Sequence, residues 1–600
     1  MCGVAGLVEF KSTFGKERVN HIVSGMCELL QHRGPDANGI WASDNGECTL
    51  GHTRLAIIDL DKRSNQPMRD ASNRYVVAFN GEIYNFQLLK KLLKDKGINF
   101  HTNSDTEVLI EGFSQWGPKL FNLLDGMFAL VIYDTLHKTV YLARDRMGEK
   151  PLYIACLQDG FAFCSELKPL LTIPDFSPTV SSSSLFEFFS LRYVLDPNTI
   201  FEQIICVQPG TYTVVSSDGQ RSERNYYSYD IQDSASRETQ NMGEFVDELD
   251  SALSCAVQTR LVADVPVGAF LSSGIDSSLV CAIAAKKLHS KVRCFSAGFV
   301  GGKDNETPAA QAIAQHLGLP FEEYLVSADD LIQTASHFGG ILDEPNGDRS
   351  CVPTYFLSRL IKSQVTVAVS GDGGDELFGG YGRYGPLNQN IKNPRNSINQ
   401  YFSERLPVFP MASLQKNLPE QYHQFNRRVC SRFVSAFARD DLADIEKMRL
   451  LDAYSYLPGA VLAKVDRMSM RHSLEVRTPF FSPEVLNLSR KLPLSLCTDG
   501  KLLKVALREV LHRYLPQQHI RPVKQGFGMP GSFFSNYSKL FNNLANQADE
   551  VLSQWLPVEN TPNVFEQLRI AARDNINSYW AWIVLGQWVV SLPSSSHRQQ

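Results

Sequence analysis

The second residue of the chain is a cysteine that could act as a nucleophile with a base supplied by its own backbone. Met1 precedes this small residue, so we expect Met1 to be removed, leaving Cys2 with a thiol and the free α-amino group. The α-amine has a pKa of roughly 7.7–8, close enough to about 8.5 for a thiol to let it accept the thiol proton, directly or through a water. The alternative is that Cys2 is simply a small residue at the start of a buried strand.

Residues that could seat an amide substrate follow within the next hundred positions. Arg54, in G-H-T-R-L-A-I-I-D, could hold a carboxylate by two hydrogen bonds, and Asp105, in N-S-D-T-E, could receive an ammonium group. In F-N-G-E-I-Y-N, the Asn80 side chain and the Gly81 backbone N–H are donors of the kind that stabilise an oxyanion. Asn-Gly is also a frequent hairpin turn, so that alternative stays open.

A Ser/Gly-rich turn in the middle of the chain could bind phosphate. In A-F-L-S-S-G-I-D-S-S, the turn at 271–278 follows an apolar run and precedes a helix-like segment. Backbone N–H groups at a helix N-terminus form an anion site. The chain contains no G-x-x-x-x-G-K-[S/T] segment, which disfavours a Walker A nucleotide hydrolase that cleaves at the γ-phosphate. A purely structural turn is the alternative.

A second turn, V-S-G-D-G-G-D-E-L-F-G-G-Y at 369–381, concentrates acidic residues after another apolar run. Because open parallel sheets bind ligands at the carboxyl ends of their strands, Asp372, Asp375 and Glu376 should face the Ser272 turn. Carboxylates beside a triphosphate indicate Mg²⁺, which prefers hard oxygen ligands shared with phosphates. A solvated acidic turn is the alternative, although the interleaved glycines favour close approach to a ligand.

The elements that must position these residues divide the chain in two. The first two hundred residues are rich in β-branched and aromatic runs closed by turn signals, which predicts layered sheets with helices outside. A polar stretch without apolar periodicity predicts a linker at 216–243, and so domains at 2–215 and 244–600. The second domain should contain β-α-β units on a parallel sheet, followed by a mostly helical portion. The expected strands there are 265–271, 292–299 and 365–370.

Bulk composition excludes several classes of protein. A formal net charge of −5 over 600 residues argues against nucleic acid or an anionic membrane as a partner. The twelve cysteines form no C-x-x-C pair, so neither a disulfide framework nor a zinc site is indicated and the reduced cytoplasm is the expected location. The N-terminus lacks a secretory signal, and the apolar run at 580–590 is too short to cross a bilayer. A homodimer is compatible with the sequence.

The first half resembles class II, N-terminal-nucleophile glutamine amidotransferase domains. The resemblance rests on C-G-V-A-G, Q-H-R-G-P-D, F-N-G-E-I-Y-N and S-D-T-E and covers residues 2 to about 215. It implies a layered α/β/β/α glutaminase in which Cys2 attacks the side-chain amide of glutamine and ammonia is released inward. By the same resemblance, glutamine is held by Arg54, Asn80, Gly81, Glu82 and Asp105.

The second half is similar to the ATP pyrophosphatase domain of asparagine synthetases, which releases AMP and pyrophosphate. This resemblance rests on S-x-G-x-D-S, on the acidic turn, and on the segments 462–480 and 521–530. It implies ATP, Mg²⁺ and a carboxylate substrate activated as β-aspartyl-AMP, with Asp372 supporting that step and Lys524 neutralising charge on the intermediate and pyrophosphate. Mg²⁺ would be held by Asp276 and Asp375. ATP would be contacted by Leu271, Ser272, Ser273, Gly274, Asp276, Ser277, Ala297, Ser370 and Gly371.

The chain departs from the family pattern in three places. Ser273 stands where glycine is usual, Asp372 stands where some members have glutamate, and D-E-P-N-G-D-R at 343–349 is not the commonest form of that segment. Arg349 is a candidate to hold the α-carboxylate of aspartate, and an ion pair with Asp343 or Asp348 is the alternative. Because this segment should line the acceptor pocket, another carboxylate such as a uronic-acid sugar stays open. A catalytically degenerate binding or regulatory protein, which Ser273 would support, is the alternative from a different class.

Overall fold

The computed structural model describes residues 2–10, 14–233, 241–300, 305–384, 433–434, 436–521, 528–556 and 562–593. The strands are β1 (Gly3–Glu9), β2 (Ala37–Ala42), β3 (Cys48–Arg54), β4 (Met68–Arg69), β5 (Tyr75–Ile83), β6 (Gly126–Asp134), β7 (Thr139–Arg144), β8 (Tyr153–Leu157), β9 (Gly160–Cys164), β10 (Ile204–Cys206), β11 (Thr211–Val215), β12 (Arg221–Asn225), β13 (Val267–Phe270), β14 (Arg293–Phe299), β15 (Phe321–Val326), β16 (Val367–Val369) and β17 (Glu475–Arg477). The helices are α1 (Lys16–Leu29), α2 (Phe86–Lys94), α3 (Asp105–Trp116), α4 (Leu120–Leu123), α5 (Leu167–Leu170), α6 (Ser182–Leu191), α7 (Met242–Arg260), α8 (Ile275–Ala282), α9 (Thr307–Leu317), α10 (Ala328–Ala335), α11 (Phe338–Ile341), α12 (Cys351–Lys362), α13 (Gly374–Phe378), α14 (Asp444–Tyr454), α15 (Ala463–Met470), α16 (Pro483–Arg490), α17 (Leu494–Cys497), α18 (Val505–His512), α19 (Gly531–Asn536), α20 (Ser538–Trp555), α21 (Pro562–Ala572) and α22 (Ile576–Val590).

Two six-stranded antiparallel sheets face each other in the N-terminal half. Their strand orders are β10-β8-β9-β1-β3-β2 and β12-β11-β7-β6-β5-β4. Along β1, Val4 and Val8 pack between the sheets, whereas Leu7 packs against α1. Because side chains alternate across a strand, each sheet has one face toward the other sheet and one toward helices. The predicted layered α/β/β/α arrangement is confirmed.

The strand β12 lies inside the stretch that the sequence predicted as a linker. It pairs antiparallel with β11 after a turn in which the Gly219 N–H donates to the Ser216 carbonyl, and Gly219 has a φ of +82°. The five residues of β12 are all polar and exposed, so no apolar alternation marks the strand in the sequence. The second sheet therefore ends at Asn225 rather than at residue 215.

The C-terminal half is built on a five-stranded parallel sheet in the order β15-β14-β13-β16-β17. Helices α8, α9 and α12 lie in the connections between its strands, as the predicted β-α-β units require. The last helix, α22, is buried around Trp580, Trp582 and Trp588. Of the helices in the described ranges, none combines the length and the apolar character that a membrane span needs.

One hydrophobic core runs through both halves. It joins residues of α1 and α6 to residues of α12 and α22, and the rings of Phe189 and Trp582 lie 6.1 Å apart between centroids. Close packing of this kind fixes the orientation of one half against the other. The residues predicted to release ammonia and those predicted to activate a carboxylate are thus held in one rigid frame.

Candidate functional site

Cys2 lies at the buried start of β1, beside Asn80 of β5. The Cys2 backbone nitrogen, which becomes the α-amine once Met1 is removed, donates to Asn80 Oδ1 at 2.9 Å. As a backbone N–H, this nitrogen only donates, so the bond places Oδ1 of the Asn80 amide toward it. Asn80 Nδ2 is buried and has no hydrogen-bond partner among the described residues. Since an unmade buried hydrogen bond costs about 1–3 kcal/mol, the free donor is suited to an oxyanion that forms only during reaction.

The Cys2 thiol needs a base, because its surroundings oppose ionisation. Burial raises the pKa of Cys2, while the Leu55 backbone N–H and Arg54 lower it by a smaller amount. A desolvated thiol gives up its proton readily only to a group in direct reach. The prediction that the α-amino group of the same residue serves as this base is compatible with the surroundings of Cys2.

Asn80 and Gly81 lie inside β5, opposite Ala129 and Phe128 of β6. The hairpin-turn alternative for this Asn-Gly pair is therefore wrong. A Cβ atom on Gly81 would stand 2.1 Å from the Met127 carbonyl oxygen, so only glycine lets the two strands approach at this point. The position of Asn80 inside β5 thus holds its side-chain amide beside Cys2.

Two buried carboxylates, Glu82 and Asp105, follow Asn80 around the same pocket. Asp105 begins α3, whose N-cap Ser104 accepts a hydrogen bond from Glu107, and Asp105 Oδ2 accepts from the Ile83 N–H at 3.0 Å. Burial raises the pKa of Asp105 to about 6. Burial, and then the nearby Asp105, raise the pKa of Glu82 as well. Arg477 pairs with Glu82 but compensates only part of this negative charge, because the pKa values of both carboxyl groups remain raised. The two carboxylates therefore favour a cationic ligand such as an ammonium group.

Arg54 stands at the end of β3, with its guanidinium bonded to the loop that follows. Nη1 donates to the Asp61 carbonyl at 2.9 Å and to Asn65 Oδ1 at 2.8 Å, and Nη2 donates to the carbonyls of Ile58 and Asp59. The side chain therefore shapes the wall of the pocket. Its grip on a substrate carboxylate stays a prediction, and such a grip requires some of these bonds to be shared.

Arg33 is a residue of the Q-H-R-G-P-D segment to which the sequence assigned no role. It is fully buried, and its Nε donates to the Cys2 carbonyl oxygen at 3.2 Å. Its two terminal nitrogens bond Asp466, which belongs to the other half of the chain, at 2.9 and 3.0 Å. From the sequence, the contacts of Arg33 could have been predicted only if its burial beside the predicted nucleophile had been recognised.

The Ser272 turn joins β13 to α8, with Gly274 as the helix N-cap. The Ser272 N–H donates to Ser277 Oγ at 3.1 Å, and the Gly274 N–H donates to Ser272 Oγ at 3.0 Å. Leu271 is anchored one residue earlier by a bond from its N–H to the Phe295 carbonyl of β14, the strand that also carries Ala297. The turn thus presents a helix N-terminus at the carboxyl edge of the parallel sheet.

Ser273 fits this turn without backbone strain. It is not among the described residues with a positive φ, so a side chain is tolerated where glycine is usual. Its Oγ is buried and bonds none of the described groups. The departure from the family pattern therefore leaves the backbone N–H groups of the turn in place and adds a hydroxyl to them.

The acidic turn packs directly on the Ser272 turn. A Cβ atom on Gly371 would stand 2.6 Å from the Ser277 nitrogen, and one on Gly374 would stand 2.5 Å from Asp276 Cγ. These glycines are needed because the two turns lie at the ends of the neighbouring strands β13 and β16. Gly371 faces the backbone of the Ser272 turn, and Gly374 faces the Asp276 side chain. The structure thus brings the two phosphate-site candidates together at one sheet edge.

Lys504 occupies the point where the carboxylates of Asp276 and Asp375 meet. Its Nζ lies 2.6 Å from Asp375 Oδ1 and also bonds Asp276 Oδ2. Burial, which lowers the pKa of Lys504, is outweighed by these two carboxylates, so the pKa is raised. No role was predicted for Lys504, because a lysine in T-D-G-K-L-L-K-V-A-L gives no sign that it is buried beside acidic residues distant in the sequence.

The same pair of carboxylates fits a magnesium ion that shares phosphate oxygens. Asp276 and Asp375 converge on one positive charge, and both supply the hard oxygen atoms that Mg²⁺ prefers. Within the described part of the chain, no group of three or more His, Cys, Asp or Glu side chains could hold a metal by itself. The donor set therefore suits a metal whose remaining ligands come from a bound nucleotide.

Asp372 lies near Lys464, a half-buried lysine in the first turn of α15. Asp372 Oδ2 accepts from Ser370 Oγ at 2.7 Å. Burial lowers the pKa of Lys464, but Asp372 and then Asp348 raise it more, so Lys464 stays charged. Acidic and basic groups are thus balanced beside the strand end where the sequence predicted activation of a carboxylate.

Arg349 donates from Nε to Asn577 Oδ1 at 2.9 Å and from Nη1 to the Met529 carbonyl at 2.7 Å. The carboxylates proposed as its alternative partners bond elsewhere: Asp348 accepts from Ser350 and Tyr456, and Asp343 accepts from the N–H groups of 167–168. The ion-pair alternative is thus not what the structure shows. Lys524 lies outside the described residues, and the chain resumes beside Arg349, where the Met529 N–H donates to the Arg349 carbonyl.

Comparison with known proteins agrees with this geometry. Residues 248–589 match the family model described as "Asparagine synthase", and residues 1–227 match "Glutamine amidotransferase domain". Asparagine synthetase [glutamine-hydrolyzing] 1 of Bacillus subtilis is 29% identical over 88% of this chain and 87% of its own length. Asparagine synthetase B [glutamine-hydrolyzing] of Escherichia coli is 28% identical over 86% and 80%. Amidase chry2 of Gibberella zeae is 30% identical over 64% and 59%.

The two family models together account for both halves of the structure. The N-terminal match contains Cys2, Asn80 and the buried carboxylates, and the longer match contains both sheet-edge turns. These families indicate an ATP-dependent ligase that hydrolyses glutamine. With more than half of its length matched by one model, the chain belongs to the asparagine synthase family.

Proposed function

We propose that the protein is a glutamine-dependent asparagine synthetase. It converts L-aspartate, L-glutamine, ATP and water into L-asparagine, L-glutamate, AMP and diphosphate through a β-aspartyl-AMP intermediate. The proposal rests on two features of one packed structure. Cys2 bonds Asn80 in the N-terminal half, and in the C-terminal half the Ser272 turn contacts the acidic turn at the edge of the parallel sheet, where phosphates could bind.

The first half-reaction follows from the Cys2 surroundings. The α-amine of Cys2 takes the thiol proton, and the sulfur attacks the side-chain carbonyl carbon of glutamine. Asn80 Nδ2 and the Gly81 N–H hold the oxyanion, while Asn80 Oδ1 orients the amine. The protonated amine then gives its proton to the departing nitrogen, ammonia leaves, and water hydrolyses the thioester to glutamate.

Glutamine is held by its charged ends. Glu82 and Asp105 receive its α-ammonium group, and Arg54 receives its α-carboxylate. Because the pKa of Asp105 is raised to about 6, this carboxyl group is mostly ionised at neutral pH and mostly protonated below about pH 6. Binding of glutamine thus adds a positive charge beside the two carboxylates.

The second half-reaction takes place at the sheet edge. The N–H groups of the 271–278 turn hold the phosphates, and the aspartate β-carboxylate attacks the α-phosphorus with loss of diphosphate. Asp276 and Asp375 would hold Mg²⁺, which supplies charge neutralisation for the phosphates when bound. Lys504 contributes a second positive charge at the same point, and the resemblance assigns a third to Lys524. Ammonia reaches the acyl carbon by a sheltered path and displaces AMP.

An assay with purified protein, ATP, Mg²⁺, glutamine and a panel of carboxylic acids tests the proposal. We expect amide formation on aspartate and release of AMP and diphosphate, separated by chromatography. Stoichiometric ADP and phosphate would show that the nucleotide chemistry is assigned wrongly.

A second candidate keeps all of this chemistry and replaces aspartate by another carboxylate, such as a uronic-acid sugar. The observation that favours it is the state of Arg349, whose guanidinium already bonds Asn577 and the Met529 carbonyl. Exchange of labelled diphosphate into ATP separates the two candidates. Exchange that depends on aspartate supports the first, and exchange with a uronic acid but not with aspartate supports the second.

A further inference from the structure

Residues 463–477, which we call the linking segment, contact both candidate sites. The segment consists of α15, a short turn and β17. At one end Lys464 lies among Asp372, Asp348 and Glu376 of the synthetase half. At the other end the Arg477 carbonyl accepts a hydrogen bond of 2.9 Å from the Ser370 N–H, at the start of the acidic turn. The segment is therefore part of the frame of the nucleotide site.

The same segment also reaches the nucleophile. Asp466 is buried, two residues beyond Lys464, and its two carboxylate oxygens accept from the terminal nitrogens of Arg33. Arg33 in turn donates its Nε–H to the Cys2 carbonyl oxygen. A bidentate pair fixes the plane of a guanidinium. Asp466 thus controls, through one intervening side chain, where the Cys2 backbone sits.

A second contact reaches the glutamine-binding carboxylates. Arg477 is fully buried, and its Nη2 lies 3.2 Å from Glu82 Oε2. Its Nε bonds Glu475 at 2.7 Å, and its Nη1 donates to the carbonyls of Arg260 and Val262. A side chain held by so many partners has little freedom, so the position of Glu82 is coupled to that of β17.

We propose that Asp466 and Arg477, although they belong to the synthetase half, are positioning residues of the glutaminase site. Asp466 positions the nucleophile through Arg33, and Arg477 positions Glu82. The inference rests on the proposed roles of Cys2 and Glu82 in glutamine hydrolysis. It adds that the linking segment, which also frames the nucleotide site, contacts the groups that position Cys2 and Glu82.

The two contacts predict different kinetic defects. Displacing Cys2 relative to a correctly bound amide slows attack, which lowers kcat. Displacing Glu82 loosens the hold on the glutamine ammonium group, which raises KM. A loss of general stability lowers the apparent kcat by reducing the amount of active enzyme and leaves KM unchanged. We therefore calculate kcat per active site, counted from the final extent of Cys2 labelling by 6-diazo-5-oxo-L-norleucine.

Asp466→Asn is the first test, because it keeps the shape of the side chain and leaves Arg33 its bond to Glu166 at 2.9 Å. We expect the glutaminase kcat to fall by about tenfold or more, as for other misplaced reacting groups, with little change in the KM for glutamine. The rate at which 6-diazo-5-oxo-L-norleucine labels Cys2 should fall in parallel. Asp466→Glu, which restores the charge, should recover part of the loss.

Arg477→Lys is the second test, because it keeps the positive charge but cannot make the full set of bonds. We expect the KM for glutamine to rise by about tenfold, with a smaller effect on kcat. Ser591→Ala is the matched control. Ser591 Oγ accepts from Lys168 Nζ at 2.9 Å across the same two halves. In the described structure Ser591 bonds neither Arg33 nor Arg477, so both glutaminase constants should stay near those of the parent enzyme.

The parent enzyme and Cys2→Ala are measured alongside, so that two failures can be told apart. If the parent hydrolyses glutamine through Cys2 and both variants behave like Ser591→Ala, the positioning roles are wrong and the proposed function stands. If Cys2→Ala hydrolyses glutamine at the parental rate, the proposed function itself is wrong. Equal losses of kcat in all three interface variants would reduce Asp466 and Arg477 to a structural role and overturn the inference.

Discussion

The candidate glutaminase site and the candidate acceptor site differ in how completely their predicted functional groups are positioned. At the glutaminase end, a short run of neighbouring residues in one strand, Asn80 to Glu82, meets Cys2 at 2.9 Å and leaves one amide donor open. At the acceptor end, Arg349 is bonded to Asn577 and to the Met529 carbonyl. The comparison teaches that a site built on strands of two facing sheets is fixed by the fold, whereas the predicted acceptor site joins segments from distant parts of the chain.

Loss of the nucleophile should have the largest effect and should separate the two ends. We expect Cys2→Ala to abolish glutamine-dependent synthesis while synthesis from ammonium salts continues, because nitrogen release and carboxylate activation use different residues. The measurement is amide product formed from glutamine and from ammonium chloride under the same conditions. Loss of both activities would contradict the division of labour.

Removal of single carboxylates at the edge of the parallel sheet should disable the candidate nucleotide site. We expect Asp276→Ala and Asp372→Ala each to reduce AMP formation by on the order of a hundredfold or more, as for lost metal or transition-state contacts. Glutamine hydrolysis in the absence of ATP should be affected far less, since neither residue lies in the Cys2 pocket. AMP is measured by chromatography, and a normal rate in either variant would remove that residue from the mechanism.

Acid pH should act on the glutamine pocket first. Because Asp105 must be ionised to hold an ammonium group and its pKa is raised to about 6, we expect kcat/KM for glutamine to fall as the pH drops below that value. The stability effect has the opposite sign: the raised pKa makes this carboxyl stabilising below about 4 and removes that stabilisation as the pH rises through about 6. Rates from pH 5 to 8, with Asp105→Asn as control, test this. A flat profile in the parent enzyme would contradict it.

The smallest effect is expected at Ser273. The backbone N–H groups of the turn persist in Ser273→Gly, and only one neutral hydroxyl is lost, so the KM for ATP should rise by less than about tenfold. Ser273→Ala serves as the matched variant that keeps a side chain. A loss of a hundredfold in both variants would give the hydroxyl a much larger role than its geometry supports.

The sequence predicted what depends on local order. The layered N-terminal sheets, the parallel C-terminal sheet and the meeting of the Ser272 turn with the acidic turn all follow from strand patterns and from the rule that ligands bind at strand ends. Strand β12 was not predicted from the sequence, because all five of its residues are polar and exposed.

Contacts between distant segments could not be predicted in the same way. Lys504 forms ion pairs with Asp276 and Asp375, which lie more than a hundred residues away in the sequence. Asp466 of the C-terminal half bonds Arg33 of the N-terminal half. Nothing in the spacing of these residues indicates a neighbour, because tertiary packing alone brings them together. The same reason explains why a role for Arg349 could be named from the sequence while its actual partners could not.

The central claim is tested most directly by following the amide nitrogen. Purified protein is incubated with ATP, Mg²⁺, L-aspartate and glutamine labelled with ¹⁵N in its side-chain amide, and the products are identified by mass spectrometry. The proposal predicts asparagine that carries the label in its side chain, formed in equal amount with AMP. Labelled ammonia without labelled asparagine, together with a labelled amide when aspartate is replaced by another carboxylic acid, would contradict it.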